Sequence, residues 1–449
     1  MIFAVGVLVA LLNAAATSAA ELPEVAAPPR QPPTYAGEVA AILFQNCATC
    51  HRPGEVAPFP LLTYADASRR ARQIARVVGD RLMPPWKPEP GYGHFQAERR
   101  LTEQQIATLR AWADAGAPEG DPNLAPPAPT FAKGWQLGEP DLVIEMPESY
   151  ALHAEGPDVL RNFVVPVSVD ADKMVGAIEF RPGNPKVVHH ALVFLDGSGQ
   201  ARKLDAADPG PGYTSFGGPG FFPSGSLGGW APGTTPRFLP DGVGRYMKKG
   251  WDAVIQIHYH PSGKPETDRS SVGVYYVRKP AKRLVGGIAV ENWDIDIKPG
   301  DANHKLASGY TLPTATTFLS VAPHMHLLGR ELKVRAVLPD GTDRPLIWIR
   351  RWDFDWQDNY VLPEPLTLPK GTRIEMETVH DNSADNPRNP NRPPARVRYG
   401  EESTDEMSLC IFEVTCDDLG DLLRLIGHNT AERKVVERAI EMHRRKAKG

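Results

Sequence analysis

A small all-α domain followed by two antiparallel β-sandwich domains is the fold class the sequence predicts, and three observations carry it. The length of 449 residues suggests about three domains. At about Trp135 the apolar pattern changes from helical spacing to short runs rich in β-branched and aromatic residues. Proline-rich spacers mark the divisions, Pro28 to Pro33 before the helical part and Ala117-Pro118 to Pro129 after it.

In chain order, the first element is an export signal. Residues 1–20 carry no charged side chain, and an apolar run from Ile2 to Leu12 precedes small residues ending at Ala20, the expected cleavage point. The basic start common to such signals is missing, so an uncleaved anchor stays open. No later segment offers around 18 unbroken apolar residues, as a membrane span needs. The expected location is periplasmic or secreted. Fifty basic and 54 acidic residues leave a net charge of -4, which gives no case for nucleic acid or an anionic membrane as partner.

After a linker over 21–34 comes the helical block, 35–122. Thr102-Glu103-Gln104-Gln105 has the form of a capping box, and Ile106, Leu109, Trp112 and Ala113 follow at helical spacing until Gly116 and Pro118. A second helix is predicted from Tyr64 to Val78, with Ala67, Ala71, Ile74 and Val78 on one face. The chemistry of this block lies in Cys47-Ala48-Thr49-Cys50-His51. Two thiols three apart on a helix can both add to haem vinyl groups, with His51 as proximal iron ligand. A disulfide or half a zinc site is the alternative, but no second cysteine pair exists to complete a zinc site. Met83, held in a proline-rich loop, is the expected sixth ligand, with His94 or no ligand as alternatives. The block resembles a c-type cytochrome domain.

Beyond a linker at 123–137, the two sandwiches are expected over 138–290 and 291–420. Strands are predicted at Asn162 to Val167, Val254 to Ile257, Val272 to Val277 and Glu331 to Val337. Asp205 to Lys249 reads as a long wrapped loop without a nucleotide role. No helix is expected until about Thr430, where a segment with Val435, Ala439 and Met442 on one face leads into a basic tail, within 421–449.

The histidines suggest metal. His324 and His326 are one residue apart, so in a strand both side chains leave the same face. A thioether from Met407 would favour copper over zinc or magnesium. His189 and His190 are adjacent and would face opposite sides of a regular strand, so they can share an ion only where the strand ends or bulges. His258 is a further candidate, with His260 on the same face, and His380 another; His153, His304, His428 and His443 have no partner pattern.

These motifs, in this order, resemble the type II, ascorbate-dependent copper monooxygenases, which include the peptidylglycine α-hydroxylating and dopamine β-hydroxylating enzymes. The resemblance spans about Gly138 to Cys416. It implies two tandem jelly-roll-like domains with one copper each, the first held by His189, His190 and His258, the second by His324, His326 and Met407. It also implies hydroxylation of a C–H bond with O2 at the second copper, making His324, His326 and Met407 the catalytic set. The reaction needs two electrons, and a tethered haem c at Cys47, Cys50, His51 and Met83 would supply them to the histidine-only copper from an external donor, ascorbate or a redox protein. Where the peptide-amidating member holds its substrate carboxylate, this chain has Ala322, Leu409 and Ile411, so a neutral or apolar small molecule is the expected substrate. The family's many disulfides are missing; Cys410 and Cys416 lie about 20 Å apart along a strand, too far to bridge unless the chain turns. A haem and copper protein for electron transfer or copper handling, without oxygenase chemistry, is the competing expectation, and an exported binding protein with structural metal is a third.

Overall fold

The computed structural model describes residues 32–446 except 56, 133, 216, 217 and 401, so the expected signal segment lies outside the described residues. The same holds for the side chains of the expected C-terminal apolar face and basic tail.

The expected fold class requires correction. The chain is mainly β, and no all-α cytochrome c domain stands apart at its N-terminus. Helix there is confined to a turn at Tyr35–Val39 and to Ala40–Asn46, Tyr64–Ser68, Ala71–Gly79 and Glu103–Asp114. The physical reason is the stretch between the last two. Pro84, Pro85, Pro88 and Pro90 cannot donate to a helical ladder, and the aromatic residues among them find their apolar partners in the β structure. Phe95 is buried in the core of the C-terminal sheets, with Trp86 packed against it. Along this strap Glu89 donates its amide to the Trp348 carbonyl at 2.7 Å and Gln96 to the Val361 carbonyl at 2.8 Å.

Within the helical segment the local signals operate as their chemistry requires. Thr102 Oγ1 accepts from the Gln105 amide at 3.1 Å, and the Gln105 side chain accepts from the Thr102 amide at 2.8 Å. Ile106, Leu109, Trp112 and Ala113 are buried. The helix expected over Tyr64 to Val78 is broken at Arg69-Arg70, where Arg70 takes a non-helical ψ of 9°, yet Ala67, Ala71, Ile74 and Val78 all point inward. The cysteine motif is not on a helix. It follows Ala40–Asn46 as successive turns, in which Cys50 and His51 both donate their amides to the Cys47 carbonyl.

Four larger sheets, in two face-to-face pairs, and two two-stranded sheets, Tyr150–Leu152 with Glu266–Asp268 and Asp296–Ile297 with Val397–Arg398, build the rest. In the first pair a five-stranded sheet, in the order Leu142–Glu145, Ser271–Tyr276, Lys173–Arg181, Val243–Met247 and Arg283–Leu284, covers a four-stranded sheet of Val159–Pro166, Asp252–Tyr259, Val188–Asp196 and Gly225–Trp230. Phe163, Val193, Ile255 and Val272 fill the space between. The second pair sets Gly286–Glu291, Ser408–Thr415, Thr316–Met325 and Tyr360–Leu368 against His304–Thr311, Arg373–His380, Gly329–Val337 and Asp343–Ile349. Its core includes Phe318, Phe412, Ile347 and Ile374.

Two further expectations change. The stretch expected to be a long loop contains the end of a helix, Gln200–Ala207, and two strands, Gly225–Trp230 and Val243–Met247. Glycine makes the first of these strands possible: a Cβ on Gly229 would lie 2.7 Å from Leu192 Cδ2. The terminal helix begins at Leu419, not near Thr430, because Leu422 and Leu425 bury against the second core. Cys410 and Cys416 are both free and buried, one within Ser408–Thr415 and the other just past its end.

The two sheet pairs meet through charge and backbone. Arg245 of the first pair contacts Glu413 of the second at 2.6 Å, and the Val285 amide donates to the Gly244 carbonyl at 3.0 Å. Among the described residues no helix is long and apolar enough to cross a membrane.

Candidate metal centres

Strand Val188–Asp196 does not begin regularly. Val188 faces Tyr259 and His190 faces His258, so His189 is an extra residue in the ladder, a bulge that turns two adjacent side chains to one side. Here the chain meets the condition that two adjacent histidines need to share an ion. The ligand atoms of His189, His190 and His258 all lie within 4.8 Å of one another. His189 Nδ1 and His190 Nδ1 are 3.2 Å apart. Two nitrogens each about 2.0–2.1 Å from one ion at a tetrahedral angle are separated by roughly 3.3 Å, so the spacing fits a shared metal.

The third ring is oriented from outside. Asp158 accepts from His258 Nε2 at 2.8 Å and pairs with His260 Nδ1 at 2.7 Å, which leaves His258 Nδ1 to face the other two rings. Burial works against the Asp158 carboxylate, but the hydrogen bonds of His258 and His260 outweigh it and hold its pKa down to about 2. Burial, followed by the neighbouring imidazoles, lowers His189 and takes His190 well below the ordinary histidine value. Neutral rings keep the lone pairs that a metal needs. His260 is exposed and serves Asp158.

His324 and His326 leave one face at the end of strand Thr316–Met325, with ring centroids 5.0 Å apart. His324 Nδ1 contacts Gln357 Oε1 at 2.5 Å, and His326 Nδ1 contacts the Asp405 carbonyl at 3.2 Å. Both Nδ1 atoms are thus engaged, and both Nε2 atoms are left as donors to an ion. Burial lowers His324 to about 4. Met325 faces Ser408 across the sheet; Met407, half-buried, immediately precedes that strand, and no described contact joins its sulfur to His324 or His326.

Glu406 ties this region together. Its carboxylate accepts the amides of His326 at 2.5 Å, Leu328 at 3.0 Å and Met407 at 2.9 Å. His380, fully buried, lies 3.6 Å from its other side. Burial raises the cost of ionising Glu406, but His380 and the His326 amide more than offset it, and its pKa is held low. His380 therefore belongs to the support of the carboxylate and not to the His324 and His326 pair.

In the cysteine motif both thiols are free, and burial pushes the Cys47 thiol up to about 12. His51 Nδ1 lies 3.0 Å from the Phe59 carbonyl, which fixes the ring and leaves Nε2 outward, as an iron ligand requires. Met83 is 41% exposed and follows helix Ala71–Gly79, its amide bonded to the Val77 carbonyl; no described contact joins it to His51. His94 is exposed. Asp158, Gln357 and Glu406 were not singled out by sequence reasoning. Only Glu406 had a local signal, its place beside Met407.

No family model and no curated protein match the chain. Solved structures that overlap it include proteins of viruses. The major capsid protein P2 from bacteriophage PM2 is 8% identical with a TM-score of 0.24, over 61% of this chain and 96% of that one. PBCV-1 VP54 is 6% identical with a TM-score of 0.21, over 64% and 95%. Infectious bursal disease virus VP2 is 10% identical with a TM-score of 0.16, over 62% and 79%. Overlaps of this quality carry no argument about function.

Proposed function

We propose that this chain is an exported copper-dependent monooxygenase of the type II class, hydroxylating a C–H bond of a small organic substrate with O2. The single observation that carries the reading is the convergence of His189, His190 and His258 at a bulge, with their free nitrogens at metal-sharing distances. Two coppers, when bound, supply one-electron redox chemistry and O2 activation, and a haem c at Cys47, Cys50 and His51 supplies a tethered one-electron store.

The chain's own residues divide the remaining work. Asp158 and Gln357 orient the rings of His258 and His324, and Glu406 holds the backbone on which His326 and Met407 sit. Beside His324, the paired residues Ala322 and Ile411, with Leu409 opposite His324, make one apolar face of the sheet. Ile411 is 45% exposed on that face. An apolar or neutral substrate suits such a wall.

Metal analysis and oxygen uptake test the reading together. The isolated protein is expected to hold two coppers per haem and to consume O2 when given a reductant. One redox-inert ion per chain would support a structural metal site instead, and two coppers without O2 uptake would support an electron-transfer or copper-handling protein.

A further inference from the structure

The loop between strands Asp343–Ile349 and Tyr360–Leu368 lies against both rings of the second histidine group. Gln357 supplies one contact, its Oε1 accepting from His324 Nδ1 at 2.5 Å. Its Nε2 donates to the Phe354 carbonyl at 3.0 Å, and this second bond fixes which end of the amide faces the histidine. With the oxygen toward the ring, His324 Nδ1 carries the proton and Nε2 keeps its lone pair. The Phe354 ring meets the His326 ring edge-on, with centroids 6.0 Å apart and planes at 83°. The placement of Phe354 therefore bears on both histidines.

Phe354 sits between two aspartates that other parts of the chain hold. Asp353 pairs with Lys87 of the strap at 2.7 Å and with Arg388, from the segment after strand Arg373–His380, at 3.3 Å. Arg388 also reaches Asp355 at 2.6 Å, so one guanidinium spans the residues on either side of Phe354. Asp353 turns the backbone as well: its carbonyl accepts the Trp356 amide at 3.0 Å, and its carboxylate accepts the Asp355 amide at 3.3 Å. The Lys87 side chain is only 10% exposed, and a lysine so far out of water is held there by its partner. These bonds converge on the peptide that carries the Phe354 carbonyl. We infer that Asp353 is a positioning residue for the second histidine group: held by Lys87 and Arg388, it sets the Phe354 carbonyl, and through Gln357 the His324 tautomer that offers Nε2 to copper. The inference rests on the copper reading given under the proposed function. It also gives the strap a role at that centre, although 266 residues separate Lys87 from Asp353.

The test uses the full-length protein carrying His190→Ala, which disables the first group so that bound Cu(II) reports on the second. Into this parent are placed Asp353→Asn, Lys87→Met, Gln357→Leu and the pair Asp353→Asn with Gln357→Leu. Copper affinity is read by chelator competition, and the ligand geometry by the Cu(II) electron paramagnetic resonance spectrum. Each single substitution is expected to weaken copper binding about tenfold and to alter the spectrum. The pair should lose little more than Gln357→Leu alone, because both act through one ring. Salt bridges that serve only stability would lower the urea midpoint of Asp353→Asn and Lys87→Met and leave affinity and spectrum as in the parent. That result would overturn the assignment while the copper reading stands. So would losses that add in full in the pair, or a Gln357→Leu protein that binds copper like its parent. A His190→Ala protein that binds no copper would overturn both. If Asp353→Asn or Lys87→Met does not fold, Arg388→Gln, at a side chain 42% exposed, decides in its place, with the same losses expected.

Discussion

Glu406 shows how one buried side chain can fix the backbone around a histidine pair without joining it. Its two oxygens satisfy three backbone amides from two separate segments, and His380 Nδ1 lies 3.6 Å away. Replacing it with leucine strands those donors in a region that water does not enter. Glu406→Leu is therefore expected to destabilise the metal-free protein by about 3–5 kcal/mol in urea denaturation, whereas a loss under 1 kcal/mol would mean that the amides find other acceptors. Asp158 acts on orientation and not on stability. Asp158→Ala should weaken copper binding at the first group by roughly 10–100-fold in a chelator competition, with the urea midpoint little changed. His190→Ala should lower bound copper from two per chain to one. Both predictions concern ligand geometry, and a copper content that His190→Ala leaves at two would show that these three histidines do not form a site. At this scale the sequence was partly legible. That His189 and His190 could share an ion only where the strand ends or bulges followed from strand alternation, because a period of two sends neighbours to opposite faces. Asp158 and Gln357 were not legible, since they reach their histidines from 100 and 33 residues away and nothing local marks them.

Among the elements, the strap from Arg81 to Leu101 departs most from expectation. Its prolines read as a rigid loop holding Met83, but its aromatic residues do the structural work, and these carry no period that would reveal their partner. Phe95 packs 5.3 Å from Tyr360, centroid to centroid, inside the second core. Phe95→Ala should cost about 3–5 kcal/mol, and protease cleavage within the strap should rise with it. Cleavage that stays at the wild-type rate would mean that the polar bonds to Trp348 and Val361 hold the strap unaided. Helix Glu103–Asp114 was fully legible because capping chemistry and apolar spacing agree over its whole length. Strand Gly225–Trp230 was hidden for the opposite reason: a glycine-rich segment has poor strand propensity, and only the close approach of Leu192 selects it.

For the whole molecule, the account joins three parts that the sequence suggested were separate. Arg245 and Glu413 pair across the two sheet pairs, and Arg99 and Asp358 across strap and sheets. The pattern of short apolar runs indicated how much of the chain is strand, but no local signal specifies how packed units dock. The central claim is oxygen chemistry at the second histidine group, and reductant-driven O2 uptake by the copper-loaded, haem-bearing protein tests it most directly, compared between wild type and Met407→Ile. The account predicts steady uptake in wild type and its loss in Met407→Ile with the haem spectrum unchanged; equal uptake in both proteins would contradict it.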